Sequence, residues 1–395
     1  MDRVQNPFAP GAGTQPPELA GREEILTEAF VALDRIQVRN PTRSQILVGL
    51  RGVGKTVLLN RIRDAAEAKG FETALLEVHE DTTLPALLVP ALRKILLRLD
   101  AREELSDKTK RALRVLRSFI GSFKTRFKVG ELAEIELGVD AERGEADSGN
   151  LESDLTDLLI AVAEAALDRG ASIALFIDEL QYLSEREFGA LILGLHQVSQ
   201  RNLPLLLLAA GLPLILGLSG RSKSYAERLF TFPPLGPLDA ISSAFALQGP
   251  AEARGASFTP EALDAVFART QGYPYFLQQW GYEAWNAASS SPITREDIAV
   301  ATVRAIRQLD DSFFRVRFDR LTRREKDFLF AMLAVGGTLQ RSGDIAEQMG
   351  VKVNAIGPLR STLIDKGMIY SPSHGENAFT VPLFDGFLKR QLAIS

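Results

Sequence analysis

The chain has 395 residues, a formal net charge of −4, 46% hydrophobic and 24% charged residues, and no cysteine. That length exceeds what one hydrophobic core usually serves, so two or three domains are expected. The absence of cysteine excludes disulfides, thiolate chemistry and zinc fingers; the nearly balanced charge excludes a chain-wide nucleic-acid footprint but leaves room for a local basic face.

Residues 1–20 hold Pro7, Pro10, Pro16 and Pro17 and no apolar run of the kind a signal peptide needs, which predicts an extended arm without regular structure and a cytoplasmic protein. Gly21-Arg22-Glu23-Glu24 opens a periodic helix with Ile25, Ala29, Leu33 and Ile36 on one face. The apolar run 45–48 then reads as a strand and 55–69 as a helix, stopped by Gly70 where a helix favours glycine. Between them stands Gly49-Leu50-Arg51-Gly52-Val53-Gly54-Lys55-Thr56, followed by Val57, a complete GxxxxGK[ST] phosphate loop. A strand that feeds a tight loop and then a helix N-terminus collects backbone N–H groups and a positive dipole end around one point, which suits a polyphosphate. Gly49 and Gly54 are expected to take dihedrals that a side chain would forbid. Lys55 is placed to reach the β- and γ-phosphates of ATP, and the Thr56 hydroxyl to ligate Mg²⁺.

The pattern continues with a strand at 73–78 and helices at 84–99 and 107–122. From 123 to 150 it changes: 127–129 and 135–139 suggest a short hairpin, and the acidic, polar stretch 140–150 reads as a flexible insertion. A helix at 151–169 leads to the unbroken apolar run 172–177, the signature of a parallel strand buried on both faces, which ends in Asp178-Glu179. A helix at 184–200 and a strand at 204–210 complete an alternating β/α order, hence an α/β fold with a doubly wound parallel sheet and its ligand at the carboxyl ends of the strands. The longest apolar stretch, 203–218, is interrupted by Pro204, Gly211 and Pro213 and is too short for a bilayer, so no membrane partner is expected. His79, His196 and His374 lie far apart in sequence, so no histidine-rich metal centre is expected either.

Asp178, at the end of its strand, is placed to hold Mg²⁺ opposite Thr56, and Glu179 to orient and polarise the water that attacks the γ-phosphate. After Pro233-Pro234 the strands stop. Residues 239–310 read as helices punctuated by Gly272-Tyr273-Pro274, with Trp280 and Trp285 in their core. From Leu321 on, helices at 322–334, 342–349 and about 354–366 precede two short strands at 368–371 and 378–381, the element order of a winged helix-turn-helix. Its third helix carries Lys352, Asn354, Arg360 and Lys366, with Arg341 and His374 nearby: a mildly basic face for DNA.

Gly21-Arg22-Glu23, the loop 49–56, Phe176-Ile177-Asp178-Glu179, Ala226-Glu227-Arg228-Leu229-Phe230 and Gly272-Tyr273-Pro274 occur in that order. The combination resembles AAA+ ATPases of the origin-recognition-initiator type and the related STAND signalling ATPases. The resemblance runs over nearly the whole chain from Gly21 and implies an ATP-hydrolysing core, a helical lid and a winged helix. It implies that Gly21 and Arg22 lie near the adenine, that Tyr273 and Pro274 contact nucleotide, and that Arg228 is an arginine finger reaching a neighbour's γ-phosphate, with Arg221 a second candidate. One departure stands out: the fourth strand ends Leu207-Leu208-Ala209-Ala210-Gly211, without the polar sensor such ATPases often carry.

The expected organisation is an arm (1–20), a P-loop ATPase domain (21–235, with the insertion at about 123–150), a helical lid (236–312) and a winged-helix domain (313–395). The expected activity is slow ATP hydrolysis to ADP and phosphate that switches self-assembly and engagement of DNA or a partner protein. The alternative is a nucleotide-gated scaffold with negligible turnover and no direct contact with DNA.

Overall fold

The computed structural model describes residues 1–11, 19–100, 106–123, 140–222, 226–373 and 375–394. The hairpin expected within 127–139 and the side chain of His374 fall outside them. The chain divides into two compact units, one of Glu24–Gly49 with Lys55–Pro234, the other of Met1–Glu23 with Leu50–Gly54 and Leu235–Ser395.

The first unit runs α1 (Glu23–Gln37), β1 (Ser44–Gly49), α2 (Lys55–Ala68), β2 (Glu72–Glu77), α3 (Leu84–Asp100), α4 (Asp107–Phe123), α5 (Leu151–Asp168), β3 (Ile173–Asp178), α6 (Glu185–Gln200), β4 (Leu205–Gly211), α7 (Leu214–Ser222), α8 (Ala226–Leu229) and β5 (Phe230–Thr231). Every residue of β1, β3 and β4 is buried, because helices cover both faces of the sheet; that is why these strands read as unbroken apolar runs. Strand order is β2-β3-β4-β1-β5, and each of these pairings is parallel. β4 therefore lies between the strand that feeds the phosphate loop and the strand that ends in Asp178, with Val48 opposite Gly211 and Ile177 opposite Ala209.

Helix starts in this unit are set by side chains. Ser184 and Glu187 form a reciprocal capping box on α6, and the same Glu187 carboxylate accepts from the Leu84 N–H at 2.8 Å, which joins the starts of α3 and α6. Residues 140–150, expected as a flexible insertion, are tied to α4 by side-chain bonds. Arg111 holds Glu145 through 2.7 and 2.9 Å bonds, Arg114 holds Glu142, and Ser118 and Ser122 of α4 donate to the carbonyls of Glu142 and Ala146. Asp154 accepts from the backbone of Ser148 and Gly149. The acidic composition that suggested disorder is the complement of two arginines 28 to 34 positions earlier on α4.

The second unit holds, after the short β6 (Pro234–Leu235), four helices, α9 (Ala240–Glu252), α10 (Pro260–Thr270), α11 (Pro274–Ala287) and α12 (Arg295–Gln308). A π-helical turn (Leu309–Phe314) and α13 (Arg315–Phe318) lead to α14 (Arg323–Val335), β7 (Gln340–Arg341), α15 (Ser342–Gln348), α16 (Val353–Asp365), β8 (Ile369–Tyr370), β9 (Glu376–Phe379) and α17 (Phe384–Ile394). The strands form an antiparallel sheet of order β7-β9-β8. Trp280 and Trp285 are buried. The start of the chain, expected as an extended arm without regular structure, makes a 3-10 turn at Arg3–Gln5 and docks on α11. The Trp285 indole donates to the Asp2 carbonyl at 2.7 Å, Asn6 donates to the Tyr282 carbonyl at 3.0 Å, and Phe8 fills the space that Gly281 leaves by lacking a Cβ. Among the described residues, no helix is long and apolar enough to cross a membrane.

Candidate functional site

β1 delivers the chain to the phosphate loop, and α2 starts at Lys55. The left-handed backbone falls on Gly52 (φ 82°) and Gly54 (φ 95°), not on Gly49, which is the last residue of β1. Gly49 contributes its carbonyl instead, which accepts from the Lys55 ammonium at 3.0 Å. Lys55 is only 5% exposed, so it is less accessible than a loop lysine suggests; the strand end shields it. A Cβ on Gly54 would meet no described atom within 4 Å, so the turn into α2 is open where a phosphate cradle needs space.

The Thr56 hydroxyl donates to Asp178 Oδ2 at 2.5 Å. Burial raises the Asp178 carboxyl above its usual range; the bonds from Thr56 and from the Glu179 N–H, together with the Lys55 charge, oppose that rise. No cluster of three or more His, Asp or Glu side chains able to hold a metal occurs among the described residues. The oxygens of Thr56 and Asp178 are hard donors suited to Mg²⁺, which takes few protein ligands and fills its octahedron with water and phosphate. The residues present thus fit a magnesium-bound triphosphate.

Glu179 has a left-handed backbone (φ 53°, ψ 40°), uncommon for a residue with a side chain. Its carboxylate accepts from the Gln181 amide, whose oxygen in turn accepts from the Leu212 N–H at 2.9 Å, just beyond the end of β4. Sequence reasoning passed over Gln181; its only signal is a polar residue two positions after the acidic pair. Arg228 lies exposed on the four-residue α8. Arg221 belongs to α7, and its side chain is outside the described set.

In the other unit, the loop tip gives three consecutive carbonyls to outside donors. The Tyr273 hydroxyl donates to Arg51 O, the Tyr275 N–H to Gly52 O at 3.2 Å, and the Arg22 guanidinium to Val53 O at 3.5 Å. Arg22 also donates to the Gly236 carbonyl, and burial lowers its pKa from the ordinary arginine value. Gly21 (φ 70°) packs so close to Ser242 that a Cβ would lie 2.8 Å from its hydroxyl. Gly272 (φ 71°) is demanded by contact, since a Cβ there would lie 1.9 Å from the Leu238 carbonyl oxygen. That close approach sets Tyr273, and Pro274 begins α11 behind it. Burial pushes the Tyr273 phenol far above its usual pKa.

Two arginines meet near the same tip. Gly367, the turn after α16, lacks a Cβ where one would lie 2.9 Å from Arg51 Nε. Arg317 lies 3.9 Å over the Phe313 ring and donates to the Phe313 carbonyl at 2.8 Å; burial, and then the charge of Arg51, bring its pKa down to about 10. Nothing in the sequence around Arg317 or Tyr275 announces this role.

On α16, the basic face is smaller than the sequence suggests. Arg360 is engaged by Asn377, Ser371 and the Glu376 carbonyl, and Lys366 by both oxygens of Glu325 at 2.8 and 2.9 Å. Lys352, Asn354 and Arg341 remain exposed.

A parallel sheet of this order, with a phosphate loop after β1 and an acidic pair after β3, is the fold of P-loop ATPases of the AAA+ type. Residues 18–208 match the model of an AAA ATPase domain, and residues 311–388 match a domain of unknown function, DUF8462. Among solved structures, the chain resembles the Walker-type ATPase PABY2304 of Pyrococcus abyssi, with a TM-score of 0.60 at 16% identity over 95% of this chain and 97% of that one. It also aligns with Cdc6p from Pyrobaculum aerophilum, with a TM-score of 0.49 at 14% identity over 99% of both chains. The Orc1 protein of Aeropyrum pernix, solved in complex with DNA, aligns at a TM-score of 0.45 and 16% identity over 100% of this chain and 97% of that one. No curated protein sequence matches the chain.

Proposed function

We propose that the chain is a slow ATPase that works as a molecular switch. The observation that carries this reading is the 2.5 Å bond between Thr56 and Asp178, two oxygen donors 122 positions apart brought together beside Lys55. Lys55 and the N–H groups of the loop bind the phosphates, Gly21 and Arg22 flank the base, and Thr56 and Asp178 hold Mg²⁺. When bound, the metal neutralises phosphate charge that develops during transfer. Glu179 orients the attacking water and takes its proton as the water oxygen bonds to the γ-phosphorus. The bond from that phosphorus to the bridging oxygen breaks, leaving ADP and phosphate, and the proton passes from Glu179 to solvent or product. Arg228, exposed on α8, supplies its charge to the site of a neighbouring copy.

In this reading the C-terminal segment from α14 to α17 is a winged helix that engages a partner, with Arg341, Lys352 and Asn354 as its DNA-facing residues. A second reading, a nucleotide-gated scaffold that turns over negligibly, draws on the apolar end of β4.

Calorimetric titration with ATP and steady-state phosphate release decide between them, on the wild type, Lys55→Ala and Glu179→Gln. The switch reading expects wild-type binding and turnover. Affinity should fall about 10- to 100-fold in Lys55→Ala, from the ~1.5–3 kcal/mol of a charge-assisted hydrogen bond. Glu179→Gln should bind ATP and retain only a small residual rate of hydrolysis. ATP binding without turnover in the wild type selects the scaffold, and absent binding overturns both.

A further inference from the structure

We infer that Gln181 is the positioning residue that aims Glu179 for hydrolysis, fixed by the backbone just past β4 where a polar strand residue would otherwise stand. The inference rests on the ATPase reading above and adds a residue to it. The observation is a two-sided amide. Gln181 Oε1 accepts from the Leu212 N–H at 2.9 Å, and Gln181 Nε2 donates to Glu179 Oε2.

The orientation of that amide is determined by chemistry. A backbone N–H can only be met by an acceptor, so the amide oxygen must face Leu212, and the NH₂ group is thereby turned to the carboxylate. Gln181 is 9% exposed and its bond to Leu212 is buried, so water does not compete freely for that anchor. Gly211 makes the arrangement possible: a Cβ there would sit 3.2 Å from Gln181 Oε1, tight enough to press on the amide. A residue with a polar side chain at the end of β4 and this glutamine therefore compete for one place, and here the glutamine has it.

Glu179 needs such a partner. Its left-handed backbone is followed directly by a 3-10 turn (Leu180–Tyr182), and its side chain makes no capping bond to that turn. A carboxylate that activates water must be held to within about half an ångström of its working position, and packing alone rarely holds a glutamate so closely. The bond from Gln181 uses Oε2, and we assign Oε1 to the attacking water. Because β4 lies between β1 and β3, the Leu212 N–H gives Glu179 an anchor just past the end of the strand that neighbours both β1 and β3.

The test is single-turnover ATP hydrolysis and ATP affinity for the full chain carrying Gln181→Met, Gln181→Glu, Glu179→Gln, and each Gln181 change combined with Glu179→Gln. Methionine keeps the length and loses both bonds; glutamate keeps the acceptor for Leu212 and loses the donor. The expected result is a fall of about tenfold or more in the rate constant for both single variants, with ATP affinity within twofold of wild type. On the Glu179→Gln background each change should alter the residual rate less than twofold, since residues that act through one another are not additive. A tenfold loss that persists in the double variants overturns the inference, as does an affinity that falls in step with the rate, which marks a structural role. A wild type that hydrolyses, with Glu179→Gln reduced to its residual rate and both Gln181 variants at full rate, removes Gln181 and leaves the ATPase reading standing. A wild type without turnover removes both.

Discussion

Arg360 Nε donates to Asn377 Oδ1 at 2.6 Å, and this bond joins α16 to a residue of β9 that is itself fully buried. Asn377 also donates to the Gln340 carbonyl and the Ser342 hydroxyl, so one side chain links β9 with β7 and α15. An arginine on the face expected to meet DNA is thus part of the internal frame. Arg360→Ala should lower the stability of the C-terminal segment by about 1–2 kcal/mol, since a buried acceptor loses its donor. Arg341→Ala and Lys352→Ala should leave the melting temperature within a degree or so. If the segment binds DNA, those two changes should weaken binding on any sequence and flatten its salt dependence. Mobility shifts at two salt concentrations, paired with thermal melts, check both halves; a melt unchanged by Arg360→Ala would contradict the internal role.

Glu325 is 4% exposed at its side chain, closes the N-terminal capping box of α14 and receives both bonds from Lys366. Burial acts to raise its pKa, but the bonds from Lys366 and Thr322 outweigh it, and the carboxyl titrates below its ordinary value. A lowered folded-state pKa means stability that is fully present above the unfolded value, about 4.3, and is lost as the pH falls through the folded one. The C-terminal segment should therefore begin to lose stability below about pH 4. Lys366→Met should remove about 2–4 kcal/mol at neutral pH, because a buried carboxylate loses its cation. It should also flatten the acid dependence. Thermal melts of both proteins from pH 3 to 7 check this, and parallel pH curves would count against it.

Gly272→Ala should be among the most damaging single changes in the chain. It places a Cβ 1.9 Å from the Leu238 oxygen on a backbone with φ 71°, and clash and strain together should cost about 3–5 kcal/mol. Tyr273→Phe is the milder companion. It removes only the donor to the Arg51 carbonyl, so ATP affinity should drop about fivefold, equivalent to ~1 kcal/mol, with the fold retained. Melting curves and ATP titration check the pair; an affinity unmoved by Tyr273→Phe would show that the hydroxyl does not shape the loop.

How much of this was legible in sequence depends on the range of the interactions. The runs at 45–48, 172–177 and 204–210 read as parallel strands because burial on both faces leaves no polar alternation. The loop and the acidic pair read as a site because their chemistry is local. What was missed depends on partners distant in the chain. β7 is two residues long and exists by pairing with β9, with Gln340 opposite Asn377. Segment 140–150 is polar taken alone and anchored once α4 is beside it. Arg360 and Lys366 count as surface charge until Asn377 and Glu325 are known to face them. Gln181 shows its use only when Leu212 closes on its other end.

Arg228 on the exposed end of α8 gives the assembly prediction. If it serves a neighbour's site, specific activity should rise with protein concentration. Mixing Arg228→Ala with Glu179→Gln should restore part of the turnover, because some interfaces then pair an intact Glu179 with an intact Arg228. Each variant alone should be slower by a factor of roughly 10³ and still bind ATP. Turnover independent of concentration, with no recovery on mixing, would make the enzyme a monomeric switch.

The three carbonyls at Arg51, Gly52 and Val53 are held by Tyr273, Tyr275 and Arg22, residues that flank the sheet-bearing segment in sequence at both ends. The phosphate loop is therefore not a portable cassette. A fragment spanning 24–234 contains every residue of the Gly-Lys-Thr motif and the whole Asp-Glu pair, yet lacks all three donors that shape the tip. Shuffling such a fragment into another protein would transfer the motif without its geometry. A transplant that keeps this geometry has to carry Arg22, Tyr273 and Tyr275 along with the loop whose carbonyls they hold.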